Sequence, residues 1–146
     1  MPTVTRAMRI GESVGRMYAR WHDPAEVARF LMGVDAATPT GPDTVRWKLR
    51  GPVGFAMDVN ARLTDDEPEH LMIWKAYEAS FPAIVAVRFE SLGDDETRVT
   101  LQLTADPPGG PFITRATENY LTRAVEDSLR RLAALVDGQR SAGNEQ

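Results

Sequence analysis

The sequence contains no cysteine and no long hydrophobic run. Without cysteine the chain has no disulfide framework, no thiolate nucleophile and no cysteine-based zinc site. No apolar stretch approaches the roughly 18 to 20 residues of a membrane span, and the N-terminus lacks the apolar core of a signal peptide. A net charge of −4 argues against a nucleic-acid binder, which would carry a basic surface. We therefore expect a soluble, cytoplasmic protein with no nucleic-acid partner.

The length of 146 residues predicts one domain, which can bury roughly two thirds of the surface of its unfolded chain. We place this domain at residues 1–138. The remaining residues, 139–146, are polar and predict a flexible tail. Nothing in the sequence distinguishes a monomer from a homodimer.

The N-terminal region predicts one strand followed by two short helices. The strand covers Val4 to Ile10, and Ser13 can cap a first helix that ends near Trp21. Asp23 suits the N-cap of the second helix, with Pro24 in its first turn and Glu26 placed for a capping box.

The middle of the chain predicts six strands joined by short loops. Short loops between alternating strands favour an antiparallel meander, because parallel strands need long crossovers. The acidic pairs Asp65/Asp66 and Asp94/Asp95 are interpreted as solvated turn residues. The predicted strands are Val34–Thr38, Thr44–Leu49, Val53–Leu63, His70–Tyr77, Phe81–Leu92 and Thr97–Ala105, with breaks at Gly51-Pro52 and at Asp65–Pro68.

A long amphipathic helix follows, from about Phe112 to Val136. Thr117, Tyr120, Ala124 and Ser128 fall along one line of its apolar face, and three of these four side chains are small. Small side chains could leave a cavity between the helix and the sheet. The alternative is close helix–sheet packing with no cavity, and the sequence leaves both open.

The order of these elements, with several local signatures, resembles the START-like (Bet v 1-like, SRPBCC) superfamily, and in particular its polyketide cyclase/dehydrase group. The signatures are Tyr18–Asp23 leading to Phe30-Leu31, Trp47 with Gly51–Gly54, Met72–Lys75, Val87–Phe89, Thr97–Val99 with Leu101 and Leu103, and Asp106–Gly110. The resemblance implies an α+β helix-grip fold. In that fold a curved antiparallel sheet of about seven strands wraps a long C-terminal helix, and two short helices follow the first strand. It also implies an internal cavity for a hydrophobic or aromatic ligand.

The candidates for acid–base chemistry are few. Tyr120 is the best hydroxyl and Asp58 the best carboxylate, provided that Asp58 faces the cavity; its alternation with Met57 and Val59 favours the outer face. His22 and His70 are interpreted as a cap or surface residue and a strand-start residue. We expect no metal and no cofactor, because calcium-loop spacing and phosphate-binding glycine motifs are absent.

The aromatic side chains give the stronger prediction, since ligand pockets are mostly apolar with a few polar groups. The predicted ligand-binding residues are Trp47, Met57, Trp74, Phe89, Phe112, Thr117, Tyr120, Ala124 and Ser128. Three hypotheses remain: a cyclase or dehydratase acting on a polyketide-like or aromatic intermediate, a non-catalytic carrier or sensor of an apolar ligand or lipid, and an interaction module with a vestigial cavity.

Overall fold

The structure is a computed structural model that describes residues 1–50 and 56–144, with side chains described up to residue 139. The predicted break at Gly51-Pro52 and the predicted strand start at Val53 lie outside the described residues. The elements, in chain order, are β1 (Thr3–Ile10), α1 (Val14–Trp21), α2 (Pro24–Phe30), β2 (Val34–Pro39), β3 (Thr44–Arg50), β4 (Ala56–Glu67), β5 (Leu71–Ala76), β6 (Ala83–Gly93), β7 (Glu96–Ala105) and α3 (Pro111–Asn144).

The seven described strands form one antiparallel sheet in the order β1-β7-β6-β5-β4-β3-β2. Strands β2 to β7 form a meander, in which each strand pairs with the next, and β7 at its end pairs with the first strand, β1. The chain leaves one edge of the sheet at β1 and re-enters at the other edge with β2, so α1 and α2 carry it between the two edges. The long helix α3 packs on β1, β7 and α2. This is the predicted helix-grip architecture.

The two short helices begin at the predicted caps. Ser13 accepts a hydrogen bond from the main-chain N–H of Arg16, and Asp23 accepts one from Ala25 at 3.1 Å. The predicted capping box at α2 is not formed, because Asp23 bonds Ala25 rather than Glu26 and its own N–H donates to the Arg20 carbonyl, while the Glu26 carboxylate accepts a 2.6 Å hydrogen bond from the Arg20 side chain.

Strand β4 is longer than predicted and contains an irregularity. The predicted turn at Asp65–Pro68 is wrong, because the strand continues to Glu67 and the chain turns at residues 68–70. The register with β5 shifts between Leu63 and Asp65, so that Leu63 pairs with Trp74 and Asp66 pairs with Met72. Side chains of paired residues share a face, so this β-bulge turns Asp66 towards the same face as the fully buried Met72.

The core lies between the concave face of the sheet and the three helices. The largest fully buried side chains come from every layer: Trp21, Phe30, Met17, Met72, Leu101, Leu129 and Leu132. In α3 the apolar side chains Leu129, Leu132 and Val136 are buried, as predicted for this segment, whereas Phe112 in its first turn is 82% exposed. The predicted end of α3 near Val136 is too early, because the helix passes Gly138 and reaches Asn144.

The first half of α3 is held to the β2–β3 edge by a close main-chain contact. Gly33 has a φ of +85°, and a Cβ atom at this position would lie 2.6 Å from the Tyr120 hydroxyl. The main-chain N–H of Arg50 also donates to the carbonyl of Gly33 at 2.7 Å. Both the backbone angle and the approach of Tyr120 therefore require glycine at position 33.

Candidate functional site

A cavity of about 220 Å³ lies between the α1–α2 junction and the β2–β3 hairpin. We call it the tryptophan pocket. Its mostly apolar side chains come from α1, α2, β2, β3, β4 and β5, and its remaining residues come from the α1–α2 junction and the β2–β3 turn. The lining residues are Trp21, Val27, Val45, Trp47, Leu63, Met72 and Trp74, together with His22, Pro24, Pro39, Gly41, Pro42, Asp43 and Thr44.

All three tryptophans of the chain line this pocket. The ring centroids of Trp21 and Trp74 lie 6.4 Å apart, and the ring of Trp21 also meets Phe30 edge-on at 4.9 Å. Strand alternation places Trp47 and Trp74 on the concave face, and Trp21 is the last residue of α1. Three wide, flat side chains thus surround a space that is itself small.

Two of these tryptophans carry an unpaired polar group. The indole N–H groups of Trp21 and Trp47 have no hydrogen-bond partner among the described residues, although the two residues are only 1% and 5% exposed. A buried donor left unpaired costs about 1–3 kcal/mol. Most buried polar groups in proteins are paired, so such a group calls for a specific explanation.

Polar side chains form a second feature at the α1–α2 junction. The Nε2 atom of His22 lies 2.9 Å from Oδ2 of Asp66, and the hydroxyl of Tyr18 donates to Oδ1 of the same carboxylate at 2.6 Å. His22 also lines the tryptophan pocket. The bulge in β4 and the last turns of α1 are what bring these three residues together.

This cluster changes the proton affinity of its members. Burial, followed by the hydrogen bond to Asp66 and the carboxylate charge, raises the pKa of Tyr18 to about 12. Burial pushes the pKa of Asp66 upwards, but the hydrogen bonds with Tyr18 and His22 outweigh it and lower the pKa below its ordinary value. Asp66 is therefore a carboxylate, and Tyr18 a neutral hydroxyl, across the range in which proteins normally work.

The structure places two of the predicted ligand-binding residues, Trp47 and Trp74, in the pocket. The other predicted ligand-binding residues lie outside its described lining: Met57, Phe89, Phe112, Thr117, Tyr120, Ala124 and Ser128. Phe89 is buried and meets the Tyr18 ring edge-on at 6.1 Å. Met57 is partly buried opposite Leu49 in the sheet.

The hydroxyl groups predicted on α3 bond to the main chain. Ser128 is 1% exposed and accepts a 2.8 Å hydrogen bond from the N–H of Met32. Tyr120 donates to the carbonyl of Arg50, and Thr117 donates to Ile113 within the helix. Ala124 is buried in the core. Along this line the structure shows helix packing and hydrogen bonds to main-chain atoms.

Of the two predicted acid–base residues, Tyr120 is half-buried, and this burial raises its pKa. Asp58 is exposed on the face of β4 that alternation favoured for it. Neither lies among the described lining residues of the tryptophan pocket. His70 is exposed in the turn before β5.

Three features of the site were missed by sequence reasoning. Sequence reasoning predicts Trp21 as part of a helix and gives no sign that it is a pocket wall. The interpretation of His22 as a cap or surface residue holds, since His22 is the C-cap of α1 and 48% exposed, but its contact with Asp66 and its place in the lining are not visible in the sequence. Asp66 is predicted in a turn, since strict alternation gives no sign of the bulge that redirects it.

No cluster of three or more potential ligating side chains suggests a metal site in the described part of the chain. Within the same residues, no helix is long and apolar enough to cross a membrane.

Comparison with known protein families shows which family this chain belongs to. The family model for polyketide cyclase/dehydrase and lipid transport matches residues 1–137. The chain belongs to this family. It is similar to an uncharacterized 17.2 kDa protein of Streptomyces lincolnensis, with 21% identity over 98% of this chain and 96% of that protein.

Solved structures show the fold of the family. A START superfamily protein from Mycobacterium smegmatis is similar to this chain with a TM-score of 0.77 and 13% identity, covering 94% of this chain and 98% of that one. A protein from Thermus thermophilus gives the same TM-score with 20% identity, covering 94% of this chain and 99% of that one. The START-like fold predicted from the sequence is thus confirmed.

Proposed function

We propose that this family member binds a small, planar, hydrophobic molecule in the tryptophan pocket. The observation that carries the proposal is the meeting of all three tryptophans around one cavity. Aromatic side chains stack on flat ligands and bury a large apolar area with few rotatable bonds. The proposal keeps Trp47 and Trp74, which the sequence predicted as ligand contacts, and adds Trp21, because all three line the cavity.

The size of the pocket limits the ligand. An apolar cavity of about 150 Å³ holds benzene, whereas pockets for drug-sized ligands span about 300–1,000 Å³. A cavity of about 220 Å³ therefore suits a molecule of one or two rings. A multi-ring polyketide or a complete lipid would need the pocket to open.

The unpaired indole N–H groups add a polar requirement. A ligand with a carbonyl or ether oxygen could accept a hydrogen bond from Trp21 or Trp47 after a side-chain movement that turns the buried N–H towards the cavity, because both residues line it. Relieving an unpaired buried donor favours binding by up to about 1–3 kcal/mol. The proposed ligand is thus an aromatic molecule with at least one acceptor.

The first test is native mass spectrometry of the purified protein, followed by calorimetric titration with naphthalene. We expect a co-purified or added aromatic molecule to bind with one-to-one stoichiometry. Leu63→Trp would fill the pocket and should abolish binding, whereas Leu92→Trp, at a similarly half-buried position outside the lining, should not. Equal binding by the two variants would overturn the pocket assignment.

Cyclase or dehydratase activity is the second candidate function. It is favoured by the polar side chains His22, Asp43 and Thr44 along an otherwise apolar wall, since such enzymes orient a reactive substrate and move protons. Turnover of a short aromatic polyketone mimic, lost in His22→Phe and kept in His70→Phe, would support catalysis. Binding of the mimic without turnover would favour a carrier or sensor.

A further inference from the structure

We propose that His22, held by Asp66, binds an acidic hydroxyl group of the ligand at the mouth of the tryptophan pocket. The ligand class is then a phenol or an enol of one or two rings. This inference rests on the proposed function, because it concerns the same pocket, and it names the chemistry of the bound molecule.

The contact with Asp66 determines which ring nitrogen of His22 carries a proton. His22 Nε2 lies 2.9 Å from Asp66 Oδ2, and an ionised carboxylate can only accept a hydrogen bond. Nε2 therefore carries a proton. In a neutral imidazole the other nitrogen, Nδ1, is then a hydrogen-bond acceptor. A carboxylate partner of this kind fixes the tautomer and orientation of a histidine, as it does for histidines that bind metals.

The other ring nitrogen, Nδ1, is not engaged by any described side chain or main-chain group. The only described hydrogen bond or ion pair of His22 side-chain atoms is the one from Nε2, so Nδ1 has no partner in the described part of the chain. The His22 side chain is 48% exposed and contributes to the pocket lining. In the neutral ring, an acceptor with a fixed orientation is thus available to a ligand at the pocket mouth.

Tyr18 supports both Asp66 and His22 from the other side. Tyr18 holds the second oxygen of the Asp66 carboxylate at 2.6 Å, and its ring lies 5.4 Å from that of His22. Tyr18 packs in turn against the buried Phe89. Tyr18 and Asp66 are therefore positioning residues, and His22 is the residue that touches the ligand.

The ligand chemistry follows from these groups. The hydrogen bond to His22 Nδ1 is stronger for a more acidic hydroxyl, and phenols and enols are better donors than aliphatic alcohols. The flat body of such a molecule matches the tryptophan walls. An alkyl ether of the same ring system keeps the shape and the acceptor oxygen but loses the donor, so the two compounds form a matched pair.

The test compares β-naphthol with β-naphthyl methyl ether by calorimetry. We expect the wild-type protein to bind β-naphthol about tenfold more tightly, which is the effect of one hydrogen bond of about 1.4 kcal/mol. His22→Phe should bind β-naphthol no better than the ether, so that the ratio of the two affinities falls to about one. His70→Phe, which changes an exposed histidine in the turn before β5, should keep the tenfold preference.

Asp66→Asn separates positioning from contact. The amide can donate to Nε2 of His22, which moves the imidazole proton to Nδ1 and removes the acceptor there. The preference for β-naphthol should therefore fall towards one although His22 is still present. Asp65→Asn, at the neighbouring carboxylate, should leave the preference unchanged.

The outcomes distinguish this inference from the proposed function. Equal binding of both compounds by the wild type would overturn the hydroxyl subsite and leave the pocket standing. Equal losses of both compounds in His22→Phe would also overturn it, because His22 would then act only as a wall. Binding of neither compound by the wild type would overturn the proposed function together with the inference.

Discussion

The hydroxyl of Tyr120 donates a 2.8 Å hydrogen bond to the main-chain carbonyl of Arg50. This contact joins the first half of α3 to the end of β3, directly over Gly33, where a side chain would collide with the tyrosine. The hydroxyl that the sequence suggested for proton transfer is thus engaged with the main chain. The tryptophan pocket lies elsewhere, at the other end of β3 beside the β2–β3 turn.

Tyr120→Phe should lower the free energy of unfolding by about 0.5–1.5 kcal/mol, the usual worth of one hydrogen bond. The affinity for an aromatic ligand should not change, because Tyr120 is outside the described pocket lining. Urea unfolding and calorimetry measure the two effects. A large loss of ligand affinity with unchanged stability would instead place Tyr120 at the ligand.

Ser128→Ala should lower the free energy of unfolding by about 1–3 kcal/mol, because it removes a buried hydroxyl and leaves the part-buried N–H of Met32 without its described partner. Thr122→Ala is the matched control, since the Thr122 hydroxyl only donates to Glu118 one turn earlier in α3. We expect the control to change stability by less than about 0.5 kcal/mol. Equal effects in urea unfolding would show that the contact between α3 and Met32 contributes nothing.

Arg20→Met should destabilise the protein by about 3 kcal/mol. Arg20 donates to the 8% exposed Glu12 at 2.6 and 2.8 Å and also to Glu26, and it is itself only 12% exposed. Its loss leaves a buried carboxylate unpaired, which is more costly than losing a surface pair. Adding Glu12→Gln should restore part of the stability.

The control for this prediction is Arg130→Met. Arg130 is 65% exposed and pairs with Asp127 and Glu126 on the surface of α3, where ion pairs contribute about 0–1 kcal/mol. An Arg20 variant no less stable than the Arg130 variant would contradict the role of the buried cluster.

The Tyr18–Asp66 bond predicts a specific pH dependence. Asp66 has a lowered pKa when folded, so its contribution to stability is present above the unfolded value, near 3.8, and is lost as the pH falls further. The wild type should therefore exceed Asp66→Asn in free energy of unfolding at neutral pH, and the difference should shrink below that value. A difference that is constant with pH would contradict the lowered pKa.

The pKa of Tyr18 is shifted upwards, opposite to that of Asp66, so its contribution to stability is lost at high pH. Its folded pKa of about 12 lies above the ordinary 10.0, so its contribution is complete below pH 10.0 and is lost as the pH rises towards 12. Between these values the folded wild type should show no more tyrosinate absorbance than Tyr18→Phe. A higher absorbance in the wild type would mean that Tyr18 ionises early.

The sequence predicted what local rules determine. The caps at Ser13 and Asp23 follow from capping chemistry, and the buried apolar side chains from Leu129 to Val136 in α3 follow from periodicity; both are present in the structure. The site was harder to predict because two of its parts depend on tertiary geometry. The bulge after Leu63 redirects Asp66, and the packing of α1 brings Trp21 to Trp74. Neither the bulge nor this contact leaves a mark in the alternation or spacing of residues, so neither could be predicted from the sequence.

The length of α3 was underestimated for a physical reason as well. Gly138 is a common helix-ending signal, but helix propensity is a weak prior that context overrides. In the structure α3 continues through this glycine, and the side chain of Gln139 reaches Arg20 of α1. A contact between α1 and the C-terminal end of α3 was not visible in the sequence.

The most direct test of the tryptophan pocket is the set of three indole N–H signals in a proton–nitrogen correlation spectrum, assigned through Trp→Phe variants. On titration with β-naphthyl methyl ether, whose oxygen can accept a hydrogen bond, we expect the Trp21 and Trp47 signals to shift downfield as their unpaired N–H groups find an acceptor. Unchanged indole signals, with shifts confined to residues of the first half of α3, would contradict the account and place the ligand under that helix.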